Sequence, residues 1–305
     1  MKIYNNISEI IGNTPLVKLN KIANGYDICV KLENQNPGFS VKDRVAMSIV
    51  DQAEADGLLK EGGALIEATS GNTGIGLALM AAHRGYKLYI TMPESMSVER
   101  QKMLRHLGAE LVLTDPALGM AGAMQKAEEL AQTLPNAFMT KQFSNKANID
   151  IHYKTTGVEI YNDTDGLVDI FVTGVGTGGT LSGVGKALKE RNKNIKIIGV
   201  EPEASAVISK NTPGKHKIQG IGAGFIPDNL LLEYVDKVIT ISDDEAFKTA
   251  RLLAKEEGIL GGISSGGNVA AALKVAAMPE NKGKKIVTTI CDTAERYLST
   301  ELFSN

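Results

Sequence analysis

The stretch "ALIEATSGNTGIGLALMAAHRGYKLYITM" (residues 64–92) contains a complete strand, helix and strand unit. Its first five residues form a short apolar run, residues 74–84 form an alanine-rich helical segment that ends at Gly85, and residues 87–92 form a second strand-like run. Strands joined through a helix in this way are typical of a parallel sheet. The turn "TSGNTG" (69–74) joins the first strand to the helix, so we expect its backbone N–H groups to offer an anion-binding site.

The same alternation continues along the chain. It predicts helices at 40–56, 97–107, 119–133, 148–163, 180–192, 243–257 and 265–277, and strands at 110–113, 137–140, 168–173, 195–200, 237–241 and 285–290. Ser242 and Glu245 fit a capping box at the start of one helix, and residues 201–235 form a long loop. The pattern indicates an α/β fold with two doubly wound domains and mostly parallel sheets, with a site between them. We place the domains at 1–145 and 146–305.

Composition limits the kind of partner. The chain has 305 residues and a net charge of −2, which gives no electrostatic basis for binding nucleic acid or an anionic membrane. A small molecule is the expected partner. Cys29 and Cys291 have no metal-binding spacing, and the four histidines stand far apart, so we expect no metal site. The start "MKIYNNISEI" does not resemble a signal peptide, which favours a cytoplasmic protein.

Two further glycine-rich turns follow predicted strands and open predicted helices: "GVGTGGT" (174–180) and "GISSGG" (262–267). The first satisfies the GxGxxG fingerprint of dinucleotide-binding proteins, with Glu201 about 20 residues later as the ribose-binding acid. An NAD(P)-dependent oxidoreductase is therefore one interpretation. The same residues form an equally good cup for a single phosphate, with Thr177 and Thr180 adding hydroxyl donors.

The segment "NQNPGFSVKDR" (34–44) places Lys42 just after a Pro-Gly turn and at the start of a predicted helix. Such a lysine is either a solvated charge or the amine that carries out the chemistry. A reactive lysine must be partly neutral, which a desolvated cleft favours.

Six motifs together favour the phosphate interpretation over the dinucleotide one, which stays open as the alternative: "NPGFSVKDR" (36–44), "TSGNTGIGLA" (69–78), "GVGTGGT" (174–180), "GIGAGFIP" (220–227), "GISSGG" (262–267) and "ERYLST" (295–300). Taken in this order, they closely resemble the cysteine synthases, or O-acetylserine sulfhydrylases. These belong to the β-family, or fold type II, of pyridoxal-phosphate enzymes, whose fold is like that of tryptophan synthase β. The resemblance begins at "IGNTPLVKL" (11–19) and covers nearly the whole chain.

The resemblance implies a role for each motif. Lys42 would form the Schiff base with pyridoxal 5'-phosphate and act as the catalytic base. The cofactor phosphate would be held by Gly176, Thr177, Gly178, Gly179 and Thr180, the ring hydroxyl by Asn72, and the ring nitrogen by Ser264, with Ser265 as the alternative. The substrate would be bound by Thr69, Ser70, Gly71, Asn72, Thr73 and Gln142, with the small residues Gly220, Ala223 and Gly224 lining the site.

The implied reaction is β-replacement through the Lys42 aldimine and an α-aminoacrylate, from O-acetyl-L-serine and sulfide to L-cysteine and acetate. Two alternatives use the same chemistry: L-cysteine as the donor, which gives hydrogen sulfide with lanthionine or serine, and cystathionine β-synthase activity. The family also suggests a homodimer, a small and mobile N-terminal domain that carries the carboxylate loop, and packing of the first 35 or so residues on the other domain. A further partner in the family is the C-terminal tail of serine acetyltransferase.

The sequence departs from the family pattern in two places. "CDTAERYLST" (291–300) carries Cys291, Asp292 and Thr293 where relatives have Pro-Ser-x-Gly or a close variant. "QFSNKANID" (142–150) carries Lys146 and Ile149 where prolines are usual. The first departure concerns the surroundings of the ring nitrogen, and the second concerns a turn.

Overall fold

A computed structural model describes residues 3–304. The strands are β1 Leu16–Lys18, β2 Ile28–Leu32, β3 Ala64–Ala68, β4 Lys87–Pro93, β5 Glu110–Thr114, β6 Ala137–Met139, β7 Ile170–Gly174, β8 Lys196–Pro202, β9 Lys237–Ile241 and β10 Ile286–Ile290. They form a four-stranded sheet in the order β5-β4-β3-β6 and a six-stranded sheet in the order β1-β2-β10-β7-β8-β9. Every pairing is parallel except that of β1 with β2.

The helices agree closely with the sequence pattern. They are α1 Lys42–Ala55, α2 Asn72–Arg84, α3 Val98–His106, α4 Gly119–Thr133, α5 Ala147–Ile151, α6 Gly157–Asp163, α7 Gly179–Arg191, α8 Val207–Lys210, α9 Asp243–Leu252 and α10 Ile263–Ala276. The capping box at α9 is confirmed: the Ser242 hydroxyl accepts from the backbone of Glu245, whose carboxylate accepts from the backbone of Ser242.

The chain divides into two compact units. One contains the chain up to Ile11 and Asn36–Asn148 and holds the four-stranded sheet; the other contains Gly12–Gln35 and the chain from Ile149 onward and holds the six-stranded sheet. Successive residues of a strand face opposite sides of its sheet. In β7, for example, Ile170 and Val172 pack into the core under α9 and α10, whereas Phe171 packs into the core under α7. Helices therefore cover both faces, and the doubly wound α/β fold is confirmed.

Three features differ from the sequence pattern. Strands β1 and β2 were not predicted, because they precede the regular alternation and pair at the edge of the second sheet. The predicted helices at 148–163 and 243–257 contain π-helical turns at His152–Thr156 and Leu253–Glu257, which widen the helix locally. The predicted loop at 201–235 contains the short helix α8.

Within residues 3–304, no helix has both the length and the apolar character needed to cross a membrane.

Candidate functional site

Lys42 is the first residue of α1 and is half-buried. A tight turn delivers it there: the backbone N–H of Gly38 donates to Oδ2 of Asp43 at 2.6 Å. A Cβ atom on Gly38 would lie 2.4 Å from Oδ1 of Asp43, so no larger residue fits at this position without displacing the carboxylate. The N–H of Lys42 donates to the Ser40 hydroxyl at 3.2 Å. These contacts fix the backbone of the turn and therefore the position of Lys42 at the start of α1.

The beginnings of α1 and α2 lie side by side in the first unit. A Cβ atom on Gly76 would lie 2.9 Å from the carbonyl oxygen of Lys42, so a glycine at this position allows the two helices to approach closely. Asn72, which is half-buried, is the first residue of α2 and lies about one turn before Gly76. The structure therefore brings the "SVKDR" and "TSGNTG" motifs together.

The turn 69–73 follows β3 at the carboxyl edge of the sheet. The hydroxyl of Thr69 accepts from the N–H of Gly71 at 3.1 Å, and the carbonyl of Ser70 accepts from the Arg100 guanidinium at 2.9 Å. Gly71 is the N-cap of α2 and provides no side-chain cap. The first turn of a helix carries N–H groups without intrahelical partners, so this turn suits an anionic group.

Gln142 lies beside the same turn, as the sequence predicts. The hydroxyl of Thr73 donates to Oε1 of Gln142 at 2.6 Å, and Nε2 of Gln142 donates to Oε1 of Glu67 at 3.3 Å. Sequence analysis missed Glu67, which lies in β3 two residues before the turn. The available signal was a carboxylate inside an otherwise apolar strand.

The carboxylate of Glu67 is buried, and among residues 3–304 it accepts hydrogen bonds only from neutral groups. Its Oε2 accepts from the Thr140 hydroxyl, in a short contact, and from the N–H of Gln142 at 3.4 Å. Loss of solvent raises the pKa of Glu67 to about 7, although the hydrogen bonds from Thr140, Gln142 and the Lys141 backbone partly offset this effect.

The second unit contains the "GVGTGGT" loop, between β7 and α7. A Cβ atom on Gly176 would lie 2.3 Å from the carbonyl oxygen of Gly220, and one on Gly178 would lie 2.7 Å from the N–H nitrogen of Leu230. Gly178 also has a φ of +85°, which disfavours other residues. The loop is compact because two neighbouring segments contact its backbone directly, and it leads into the N-terminus of the 13-residue helix α7.

Side chains from other elements support this loop. The Thr180 hydroxyl lies 3.1 Å from Nε2 of the fully buried His152, whose Nδ1 lies 2.9 Å from the Thr156 hydroxyl. Asn268 accepts from the N–H of Gly174 at 2.7 Å and donates to the carbonyl of Thr289 at 2.9 Å. Sequence analysis assigned neither His152 nor Asn268 a role here; an asparagine in the alanine-rich helix α10 was the available signal.

Ser264 and Ser265 differ in their environment. Ser265 accepts from the N–H of Cys291 at 2.9 Å and is fully buried. Within residues 3–304, the hydroxyl of Ser264 has no hydrogen-bond partner, and its Oγ lies 3.5 Å from the position of a Cβ on Gly220. Among the described residues, the Ser264 hydroxyl is therefore free, and it lies beside Gly220, whose carbonyl contacts Gly176 of the glycine loop. Ala223 is exposed in the segment that follows Gly220.

The atypical segment at 291–293 contacts Ser265 and the start of α10. Asp292 is buried and accepts from the Tyr297 hydroxyl at 2.5 Å, and its backbone carbonyl accepts from the N–H of Gly262 at 3.0 Å. These contacts tie the chain after β10 to the start of α10. In the part of the chain that the structure describes, no group of three or more His, Cys, Asp or Glu residues is placed to hold a metal ion.

The dinucleotide interpretation needs Glu201 to receive a ribose. Instead, the buried carboxylate of Glu201 accepts from the N–H of Ile208 at 2.8 Å and from both the N–H and the hydroxyl of Ser209. These three hydrogen bonds hold the carboxylate against the start of α8.

The residues of the second unit fit pyridoxal phosphate. The glycine loop leaves no space for side chains and opens a helix, as a phosphate cradle requires. Ser264, beside Gly220, offers a hydroxyl that has no hydrogen-bond partner among residues 3–304 and is suited to a ring nitrogen. Lys42, the amine that would bond to the cofactor aldehyde, belongs to the first unit.

Comparisons with known proteins agree with these observations. Over 313 residues, the chain is 55% identical to cysteine synthase A of Escherichia coli (strain K12), covering 100% of this chain and 97% of that protein. It is 51% identical to cysteine synthase of Staphylococcus aureus over 306 residues, which cover 99% of this chain and 98% of that protein. The crystal structure of cysteine synthase from Entamoeba histolytica matches with a TM-score of 0.96 and 49% identity, covering 100% of this chain and 92% of that one.

These similarities confirm the resemblance that the six motifs indicated and, with it, the type II fold. The family model described as "Pyridoxal-phosphate dependent enzyme" matches residues 7–292, nearly the whole chain. The NAD(P) interpretation of the glycine loop is therefore wrong. The chain belongs to the family of pyridoxal-phosphate dependent enzymes.

Proposed function

We propose that this enzyme makes L-cysteine and acetate from O-acetyl-L-serine and sulfide by β-replacement. The observation that carries the proposal is the full-length similarity to enzymes named cysteine synthase, at 55% identity. The neutral hydroxyl of Ser264 supports it. A hydroxyl beside the ring nitrogen, in place of a carboxylate, leaves the ring less protonated, which suits elimination at Cβ and disfavours transamination.

Separate groups of residues bind the cofactor and the substrate. The glycine loop 176–180 holds the cofactor phosphate, Ser264 contacts the ring nitrogen, and Asn72 contacts the ring hydroxyl. The amides and hydroxyls of the turn 69–73 bind the substrate carboxylate, with Gln142 beside them. The bound cofactor supplies the electron sink that makes the α-proton acidic.

Lys42 moves the proton. Its amine would hold the cofactor through the aldehyde, and would be free to act as a base once the amino acid substrate is bound. The released amine removes the α-proton, and acetate leaves Cβ with the bonding electron pair. Hydrosulfide then forms the new C–S bond at Cβ, and Lys42 returns the proton to Cα. Atoms and charges balance without any further reactant.

An absorption spectrum and a product assay test this proposal together. The purified enzyme, supplied with pyridoxal phosphate, is expected to show a violet-absorbing band that shifts to longer wavelength when O-acetylserine is added. Cysteine should then form from O-acetylserine and sulfide. Absence of the band would contradict the assignment of the site, whereas hydrogen sulfide release from cysteine alone, without cysteine synthesis, would contradict the reaction.

We also propose that the enzyme is a cytoplasmic homodimer and that its carboxylate turn accepts the C-terminal tail of serine acetyltransferase. These points rest on the resemblance to the cysteine synthases. Light scattering on the purified protein should give twice the chain mass of 32.5 kDa. A peptide ending in isoleucine should compete with O-acetylserine, and the same peptide with an amidated C-terminus, which has no carboxylate, should not.

A further inference from the structure

Among the residues that the structure describes, Glu67 has no counter-ion, which is unusual for a buried carboxylate. The elements around it carry titratable side chains at Lys141, at Lys87 and Tyr89 of β4, at His83 and Arg84 of α2, and at positions 126–129 of α4. Within residues 3–304, none of these side chains forms an ion pair or hydrogen bond with Glu67. Its partners are Thr140, the Gln142 side chain and the backbone at 141–142. Nothing therefore holds this group permanently in its charged form.

The hydrogen bonds of the ionised form run in one direction. An ionised carboxylate only accepts, so Nε2 of Gln142 turns toward Glu67 and Oε1 turns toward Thr73. The Thr73 hydroxyl then gives its single proton to Oε1 of Gln142, at 2.6 Å. In this arrangement Thr73 has no proton left to donate to a carboxylate bound in the turn 69–73.

Protonation of Glu67 reverses that direction. The Oε2 atom already accepts from Thr140 and from the N–H of Gln142, so the proton goes to Oε1. A protonated carboxyl donates, so the Gln142 amide turns over, places its oxygen toward Glu67 and donates from Nε2 to Thr73. The Thr73 hydroxyl is then free to donate to the substrate.

We propose that Glu67 is a positioning residue whose protonation, passed through Gln142, makes Thr73 a donor to the substrate carboxylate. This inference rests on the proposed function, because it concerns the carboxylate of that substrate. Removal of a buried negative charge beside an anion site acts in the same direction. Burial raises the pKa of Glu67 to about 7, so the change of protonation falls near neutral pH.

The test compares the holoenzyme with Glu67→Gln, which is neutral at every pH and similar in shape. Between about pH 6 and 8, the ratio of the wild-type KM for O-acetylserine to that of Glu67→Gln should rise roughly tenfold. The reason is that the protonated fraction of Glu67 falls by about that factor over this range. The turnover number should keep a constant ratio between the two proteins. Glu110→Gln, at an exposed position of β5 in the same sheet, removes a charge without touching Gln142 and is the matched control.

Two further measurements make the outcome decisive. The infrared band of a protonated carboxyl should titrate near neutral pH in the wild type without substrate, and should be absent from Glu67→Gln. In a Thr73→Val background, Glu67→Gln should no longer alter the pH dependence of KM, since the relay ends at that hydroxyl. A titrating band with a constant KM ratio, or no titrating band, overturns the inference. Failure to make cysteine at any pH would instead contradict the proposed function.

Discussion

Replacement of Lys42 by alanine is expected to lower the rate of cysteine formation by at least about 10³-fold. The variant loses both the amine that bonds to the cofactor aldehyde and the base that removes the α-proton. The lysine stands at the first position of α1, where the turn closed by Gly38 and Asp43 is made without its side chain. We therefore expect the fold to survive, which circular dichroism can verify.

Lys60→Ala is the control, because this exposed lysine lies in the same unit outside the motifs. Borohydride reduction followed by mass spectrometry should attach the cofactor covalently to Lys42 in the wild type and in Lys60→Ala. The Lys42→Ala protein should give no such adduct. Turnover at the wild-type rate in Lys42→Ala would exclude the proposed chemistry at this residue.

Substitution of Gly176 by alanine should weaken the binding of pyridoxal phosphate by at least about tenfold, equivalent to about 1.4 kcal/mol. The added methyl group would lie 2.3 Å from the carbonyl oxygen of Gly220, and this oxygen belongs to the backbone, so it cannot rotate aside as a side chain can. The loop must therefore shift, and its N–H groups lose their alignment. Overpacking of this kind also lowers the free energy of unfolding by about 1–3 kcal/mol.

Gly267→Ala is the matched control for this variant. Gly267 lies inside α10, and its nearest neighbour would be 3.6 Å from the added methyl group, an ordinary contact. Titration of the cofactor-free proteins with pyridoxal phosphate measures the affinity, and urea unfolding measures the stability. Equal cofactor affinity of Gly176→Ala and the wild type would show that the loop does not hold the phosphate.

Much of the fold follows from local patterns. Strands β3, β4 and β9 and helices α2, α4 and α7 agree with the sequence within two residues at each end, because apolar periodicity and glycine stops act within a few positions. Strands β1 and β2 escaped prediction because their partners lie far away in the chain: Ile28 pairs with Ile286. The π-helical turns escaped because a helix widened by one residue has no distinct sequence signal.

The candidate site divides in the same way. The glycine turns and Lys42 could be predicted as site residues because each motif is contiguous and its residue types suit one chemistry. Glu67 was missed because its link to the turn runs through Gln142, 75 positions later. His152 was missed because its partner Thr180 is 28 positions away. The sequence cannot distinguish Ser264 from Ser265. The structure does, because the N–H of Cys291 donates to the hydroxyl of Ser265.

The sequence by itself determined the α/β alternation, the three glycine turns and the motif set that assigns the chain to its family, because these properties depend on residues close together along the chain. Only the tertiary structure decided which hydroxyls and carboxylates pair. The buried state of Glu67 and the orientation of Gln142 depend on segments that meet at the carboxyl edge of one sheet. Desolvation and hydrogen-bond direction are set by those three-dimensional neighbours, and neither is encoded in any short stretch of sequence.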